Sequence, residues 1–466
     1  MSDALKGVEP FTTIYLVEGV YTCRDPITKP GIIVQKRDIE KEVYIIGNEG
    51  PVIKIELETD DYIVFKDLII THSGMCLSAK FKENAPNEPK YTMEPSYKCI
   101  REFEIKQDMD TVCYVKSGGV MFRNCTMTLK SHKKKLKSRI PIVVTFPRTF
   151  INLTSCTMLG NEENHNAACI LMNSDVFISD TTFNDFKAGA IYCLANPDNT
   201  VEIQDSWITN CQVMGVYLQG EGAKQIVQRV IIKSVLGPGF KIAKGNYSKI
   251  KGCEVKSSRC GVHVTSAQPH ILMNTFSGNY ENGIFTEAIK NKRCDALITF
   301  NKIEKNKMNG ILCQGENNHT RINRNIKINN NSMAGIKAVD GAVLSIIDNT
   351  IMLNFGQGIL LVESTYAHVE RNKISQNYKA NLAFGGAASG DTVVIKNEIR
   401  ESRAEGIFVI ESGFAWIVRN EIIDNADGIV LFDSTPFISG NSIEHNQRSG
   451  ITCCGCSYPK IEMNEI

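Results

Sequence analysis

The chain has almost no net charge: 52 Lys and Arg stand against 51 Asp and Glu over 466 residues. That balance excludes a whole-molecule field of the kind that gathers nucleic acid, and no nucleic-acid partner is expected. No apolar run reaches membrane-spanning length, so no membrane partner is expected. The opening residues, Met1-Ser2-Asp3-Ala4, show no secretory signal. Sixteen cysteines are present, but without the spacing of a disulfide framework. Cys113, Cys169, Cys193 and Cys313 sit among apolar residues in strand-like runs, where a free thiol is a small core residue. Reduced thiols point to an intracellular, cytoplasmic home, and the Asn-x-Ser/Thr triplets at Asn124 and Asn152 are then accidental.

What the chain does have is a short repeat. Asn-x-Ile or a close variant returns at Asn274, Asn301, Asn349, Asn372, Asn397, Asn420, Asn441 and Asn464, with Asn325 as a looser copy. A glycine followed by an apolar residue interleaves with it, from Gly189 and Gly215 through Gly283, Gly310, Gly335 and Gly358 to Gly406, Gly428 and Gly450. Asn381-Leu382 fills the one long gap. A fixed period decides the architecture before any local propensity does. The unit is too short for a helix pair, and its runs of Ile, Val, Phe and Thr broken by Asn, Gly and Asp read as strands. In Asp391–Ile410, Val393, Ile395, Ile399, Ile407 and Val409 are apolar at odd positions, the alternation of a half-buried strand. Asn397 falls at a corner, where Asn tolerates a left-handed backbone. A second Asn often follows five residues later, as at Asn301 and Asn306 or Asn325 and Asn330. Stacked coils would align these amides into ladders.

One such coil cannot bury its own apolar face, whereas a stack makes a continuous core. The expectation is an all-β parallel solenoid over residues 1–466. Residues 1–80 form an N-terminal cap and the first coils, with a first strand by about Thr12. The stretches 81–98 and 129–139 are protruding loops, and 177–466 holds the regular Asn/Gly repeats. The chain resembles the right-handed parallel β-helix, the pectin-lyase-like fold. Asn464-Glu465-Ile466 ends inside a repeat, so either the chain continues or a partner caps that end.

Enzymes of related folds need clustered carboxylates with a base in an outward groove. The residue after each recurring glycine should point inward and its successor outward. That outward column reads Tyr217, Lys241, His263, Phe285, Leu312, Lys337, Leu360, Ala383, Phe408, Val430 and Thr452. The next one contains Thr265, Glu287, Gln314, Val339, Val362, Ile410, Phe432 and Cys454. The two columns hold one carboxylate, Glu287, and no facing pair of acids. Lys241 and His263 lie on neighbouring coils but with no acid beside them. The Asn-Thr-Asp, Asp-Asp and Gly-His-Gly set of polygalacturonases and the Asp-Pro-His string of epimerases are missing. Cys453-Cys454-Gly455-Cys456 is one pair short of a structural zinc site, and alternation buries Cys453 and exposes Cys454. No metal or cofactor is expected.

Phe285, Leu312, Val339, Leu360, Val362, Phe408, Ile410, Val430 and Phe432 make two apolar columns on one face, the mark of a partner-binding surface. Lys130, Lys133, Lys134, Lys135, Lys137 and Arg139 form a basic loop that could dock an acidic surface. The phrases Arg371-Asn372-Lys373-Ile374, Arg419-Asn420-Glu421-Ile422 and Ala426-Asp427-Gly428-Ile429-Val430 resemble the β-helix regions of SHC SH2-domain-binding proteins and of β-helix F-box proteins. That resemblance implies a non-enzymatic intracellular adaptor for other proteins, such as part of a cytoskeletal or ciliary assembly. The other reading is a polysaccharide lyase, hydrolase or epimerase with its site in the N-terminal coils, where Asp60-Asp61, Asp108 and Asp110 are the close acidic pairs.

Overall fold

The computed structural model of the chain describes residues 1–47, 50–72, 111–129, 141–160, 167–289, 291–363, 365–386, 392–411 and 414–466. The loop 81–98 and the basic residues Lys130, Lys133, Lys134, Lys135, Lys137 and Arg139 lie outside the described residues, as do Asp108 and Asp110. Two compact units are present: Met1–Tyr217 with Ser234–Gly237, and Leu218–Lys233 with Pro238–Ile466.

The first unit opens on a helix the sequence did not announce, Ser2–Gly7, which buries Leu5. The strand Thr13–Leu16 then pairs in parallel with Ile33–Lys36, which pairs with Tyr62–Lys66. In the second unit every complete coil supplies three strands. The coil Glu405–Ile410, Ala415–Val418, Glu421–Ile423 stacks in parallel on Asp427–Phe432, Phe437–Ser439, Ser442–Glu444. The fold is the right-handed parallel β-helix that the repeats imply. Its three walls are called here the glycine face (the strands that carry the recurring glycine), the second face and the third face.

Most coils of the second unit turn from the second to the third face at a two-residue corner; residues 324–326 make a three-residue one. The left-handed residue there is the one before the repeated asparagine: Arg371, Lys396 and Arg419 have φ of 51°, 55° and 55°. Asn397 itself is buried. The expectation that Asn takes the left-handed conformation is therefore corrected. A buried amide is worth more as a hydrogen-bonding group than as a turn former, so the strain falls on its exposed neighbour. The corner also shifts the strand phase. Val394 is fully buried, while Val393 and Ile395 face outward, and inward packing resumes at Ile399.

The amides form the ladder. Asn301 Nδ2 donates to Asn325 Oδ1 at 3.0 Å and to the Ile271 carbonyl at 2.9 Å, while its backbone N–H also donates to Asn325 Oδ1 at 3.0 Å. The same bonds recur from Asn274 to Asn464. A second ladder runs Asn279, Asn306, Asn331, Asn354, Asn377. It uses Asn331 rather than the expected Asn330, which instead takes the left-handed corner at φ 54°. Ser402 interrupts this ladder, and Asn381 bridges the break by accepting from Asn377 at 2.8 Å and donating to Asn425 at 3.2 Å.

The recurring glycine is required by close approach. A Cβ at Gly335 would lie 2.7 Å from the Gly358 carbonyl oxygen, 2.7 Å from Ile351 Cγ2 and 2.8 Å from Asn354 Nδ2. Its neighbour Ile336 is fully buried and Lys337 faces out, as the register argument requires.

Among the described residues eleven cysteines are free and buried, including Cys113, Cys169, Cys193 and Cys313. Burial pushes the Cys253 thiol up to about 12. Thiols this inert are core atoms in any compartment, so they carry no information about redox environment. Cys453, in the strand paired with Asp427–Phe432, is exposed, not buried, and Cys454 is half-buried, so the expected alternation does not hold there.

Candidate functional site

The glycine face of the second unit keeps one in-register column: Lys241, His263, Phe285, Leu312, Lys337, Leu360, Ala383, Phe408, Val430, Thr452. Beside it Ala243, Thr265, Glu287, Gln314 and Val339 form the second column. Lys241, His263 and Glu287 therefore project from three consecutive strands, Pro238–Ala243, Cys260–Thr265 and Ile284–Glu287. Glu287 stands one column over from Lys241, two coils away. A lysine side chain is long enough to cross that distance, so the acid that seemed missing in the sequence is present in space.

The three groups are joined. Lys241 Nζ is 3.0 Å from His263 Nδ1 and 3.5 Å from Glu287 Oε1. His263 Nε2 lies 2.8 Å from the same Oε1. Thr265 Oγ1 donates to Glu287 Oε1 at 2.7 Å and accepts from Lys241 Nζ. A carboxylate can only accept, so Nε2 carries the proton and Nδ1 accepts from Lys241. Phe285 stacks on the His263 ring at 4.6 Å and fixes its plane.

Burial sets the protonation. It lowers the Lys241 ammonium to about 8, against the raising pull of Glu287. It lowers the His263 imidazole to about 4, with the Glu287 hydrogen bond opposing and the Lys241 charge assisting. Burial alone would raise the Glu287 carboxyl, but the hydrogen bond and charge from His263, then Lys241 and Thr265, hold it well below the carboxylate range. At neutral pH the site holds an ionised acid, a neutral imidazole and a lysine close to its titration point. A lysine poised there suits a general base; Lys241 is only 3% exposed, so a substrate reaches it past the half-buried His263 and Glu287 side chains.

The apolar columns stand where the register placed them. Phe285, Leu312, Leu360, Val362, Phe408, Ile410 and Val430 are half-buried against their neighbours, Phe432 is exposed, and Val339 is buried. Asp61 accepts from Thr59 Oγ1 at 2.9 Å within a turn. Among the described residues no group of three His, Cys, Asp or Glu is placed to hold a metal ion, and no helix is long and apolar enough to cross a membrane.

Comparison with known proteins bears on this geometry. Residues 286–389 and 386–466 match the family model of the right handed beta helix region. Residues 113–292 match the model of NosD, described as a periplasmic copper-binding protein. No curated protein sequence matches the chain. Among solved structures, the periplasmic alginate epimerase AlgG is 12% identical, covers 76% of this chain and 77% of its own, and has a TM-score of 0.38. The A-module of the Azotobacter vinelandii mannuronan C-5 epimerase AlgE4 is 13% identical over 73% of this chain and 90% of its own, with a TM-score of 0.33. Vag8, in its complex with C1 inhibitor, is 10% identical over 98% and 100%, with a TM-score of 0.49. Likenesses this distant carry no argument about function.

The NosD match overturns two expectations. The cytoplasmic location and the intracellular adaptor of a cytoskeletal or ciliary assembly do not stand, because the matched model is that of a periplasmic family. The resemblance to SHC SH2-domain-binding and F-box proteins finds no support in these matches; what holds is the β-helix repeat itself. The copper in the NosD description does not suit the residues described. His263 spends both ring nitrogens on Lys241 and Glu287, and no metal-sized cluster exists among the described residues.

Proposed function

We propose that this chain is an extracytoplasmic β-helix protein that cleaves an acidic polysaccharide by β-elimination at the glycine face of its second unit. The observation that carries this reading is the joined Lys241–His263–Glu287 set on three successive coils. The NosD match supports the location outside the cytoplasm.

On this reading neutral Lys241 removes the proton next to a uronate carboxylate, at C5 of the sugar. The electron pair forms the C4–C5 double bond, the C4–O4 bond breaks, and the new ammonium returns its proton to O4. One chain ends in an unsaturated uronate and the other in a free hydroxyl; no oxidant or reductant is consumed. Glu287 holds the ammonium between the two transfers, and His263 fixes the position of both. Epimerisation would need a donor on the opposite side of the sugar ring, whereas these acid–base groups share one wall, which favours elimination. The apolar columns from Leu312 to Phe432 are assigned to contact with another macromolecule, a protein partner being one that such a surface fits, and not to chemistry.

The test is ultraviolet absorbance of the unsaturated product from polygalacturonate and from alginate. Lys241→Met is expected to abolish it while circular dichroism stays unchanged. Absence of product from every uronate polymer, or full activity in the variant, would overturn the proposal.

A further inference from the structure

The second face of the second unit carries a groove that the chemistry at Lys241 leaves unused. It encloses about 560 Å³ between Tyr247, His270, Arg293, Leu297, His319 and Arg321. His270, Leu297 and Arg321 are in-register neighbours on consecutive coils, and Lys249 precedes His270 in the same column. Arg293 is tied to Asp295 at 2.8 Å. Arg321 has no ion-pair partner among the described residues, and the local field is positive: burial, Lys249 and Arg321 together lower the His270 imidazole. Leu297 gives the groove an apolar floor, and the exposed ring of Tyr247 stands at its rim.

The column does not stop at the groove. It continues through Ser345, His368 and Val393 to Trp416 and Phe437. There Phe414, Trp416 and Phe437 pack edge to face, at 5.4 Å and 5.0 Å between neighbouring rings. Trp416 remains 41% exposed. A large aromatic left open beside others on a flat wall usually meets a ligand.

We infer that this column is a binding track for an acidic oligosaccharide lying along the stacking direction. Carboxylates meet Arg321 and Lys249, and pyranose faces lie on Tyr247 and on the Trp416–Phe437 platform. The strand spacing of about 4.8 Å matches the length of about one sugar ring per coil. The cations are spread along the column, from Lys249 and Arg321 to Lys460, whose Nζ lies 5.3 Å from the centre of the Phe437 ring; a phosphopeptide site instead gathers its arginines around one group. The track is on a different wall from Lys241 and does not depend on catalysis there.

Calorimetric titration with a galacturonic-acid octamer and trimer tests it. Arg321 is exposed, so Arg321→Ala leaves the fold intact, and it is expected to weaken octamer binding about tenfold or more, as for a lost charge-assisted contact. Arg321 and Trp416 are about 19 Å apart along the stack, so Trp416→Ala should weaken the octamer and leave the trimer unchanged. All of these proteins carry Lys241→Met, so that the octamer is not cleaved and binding is read apart from elimination. Unchanged affinity on adding Arg321→Ala, equal binding of an uncharged oligosaccharide, or preference for a phosphorylated peptide or a single-stranded oligonucleotide would each overturn the track. The elimination test reads product from the parent chain, so failure here leaves that result standing.

Discussion

At the scale of single residues, the decisive fact is that burial and pairing act in opposite directions on neighbouring groups. His263 titrates at about 4 in the folded chain and near 6.5 when unfolded. Between those values the unfolded chain binds the extra proton, so stability falls as pH drops from about 6.5 toward 4. Urea denaturation followed across that window should show the fall, and His263→Phe, which keeps the stack on Phe285, should flatten it. An unchanged slope in His263→Phe would mean that His263 is not the titrating group. The placement of Lys241 and His263 in one outward column was legible in the sequence, because strand alternation fixes which side a residue takes. The contact with Glu287 was not, because columns record backbone register and not the reach of a lysine side chain. The left-handed corner residues were also hidden. Arg371, Lys396 and Arg419 share no chemistry that favours such a backbone; they take it because the buried asparagine after each of them cannot.

At the scale of the coil, side chains of unequal importance look alike in the sequence. Asn330 and Asn331 are adjacent, yet only Asn331 is a rung: its Nδ2 donates to Asn354 at 2.9 Å, and its Oδ1 accepts from Asn306 at 2.9 Å. Removing a buried rung strands donors and acceptors on both sides, at about 1–3 kcal/mol for each unsatisfied group. Chemical denaturation should therefore show Asn331→Ala destabilised by about 2 kcal/mol or more, and Asn330→Ala by about 1 kcal/mol or less. Equal losses would contradict the ladder assignment. Gly335→Ala pushes a methyl against the Gly358 carbonyl of the next coil and against Ile351 of its own. Its expected cost is about 1–3 kcal/mol, read as a lower denaturation midpoint. The repeat of Asn and Gly revealed that stacking exists; the reason glycine is needed, contact with the following coil, emerges only when the coils are in place.

At the scale of the whole molecule, the fold was readable because a solenoid repeats its own evidence, whereas location was not. Sixteen cysteines without a framework suggested reduced thiols and a cytoplasmic home, but eleven of them are core atoms whose chemistry is silenced by burial. Likewise the apolar columns drew attention to the later coils, while the acid–base set sits earlier on the same face. The proposal stands or falls on whether Lys241 is a base close to neutrality. The most direct test is a carbon NMR titration of the lysine Cε resonances, with Lys241 assigned by its loss in Lys241→Met. The account predicts one lysine titrating at about 8, in step with a rise in uronate elimination as pH passes through the same value. A Lys241 resonance that titrates with the ordinary surface lysines near about 10.4 would contradict it.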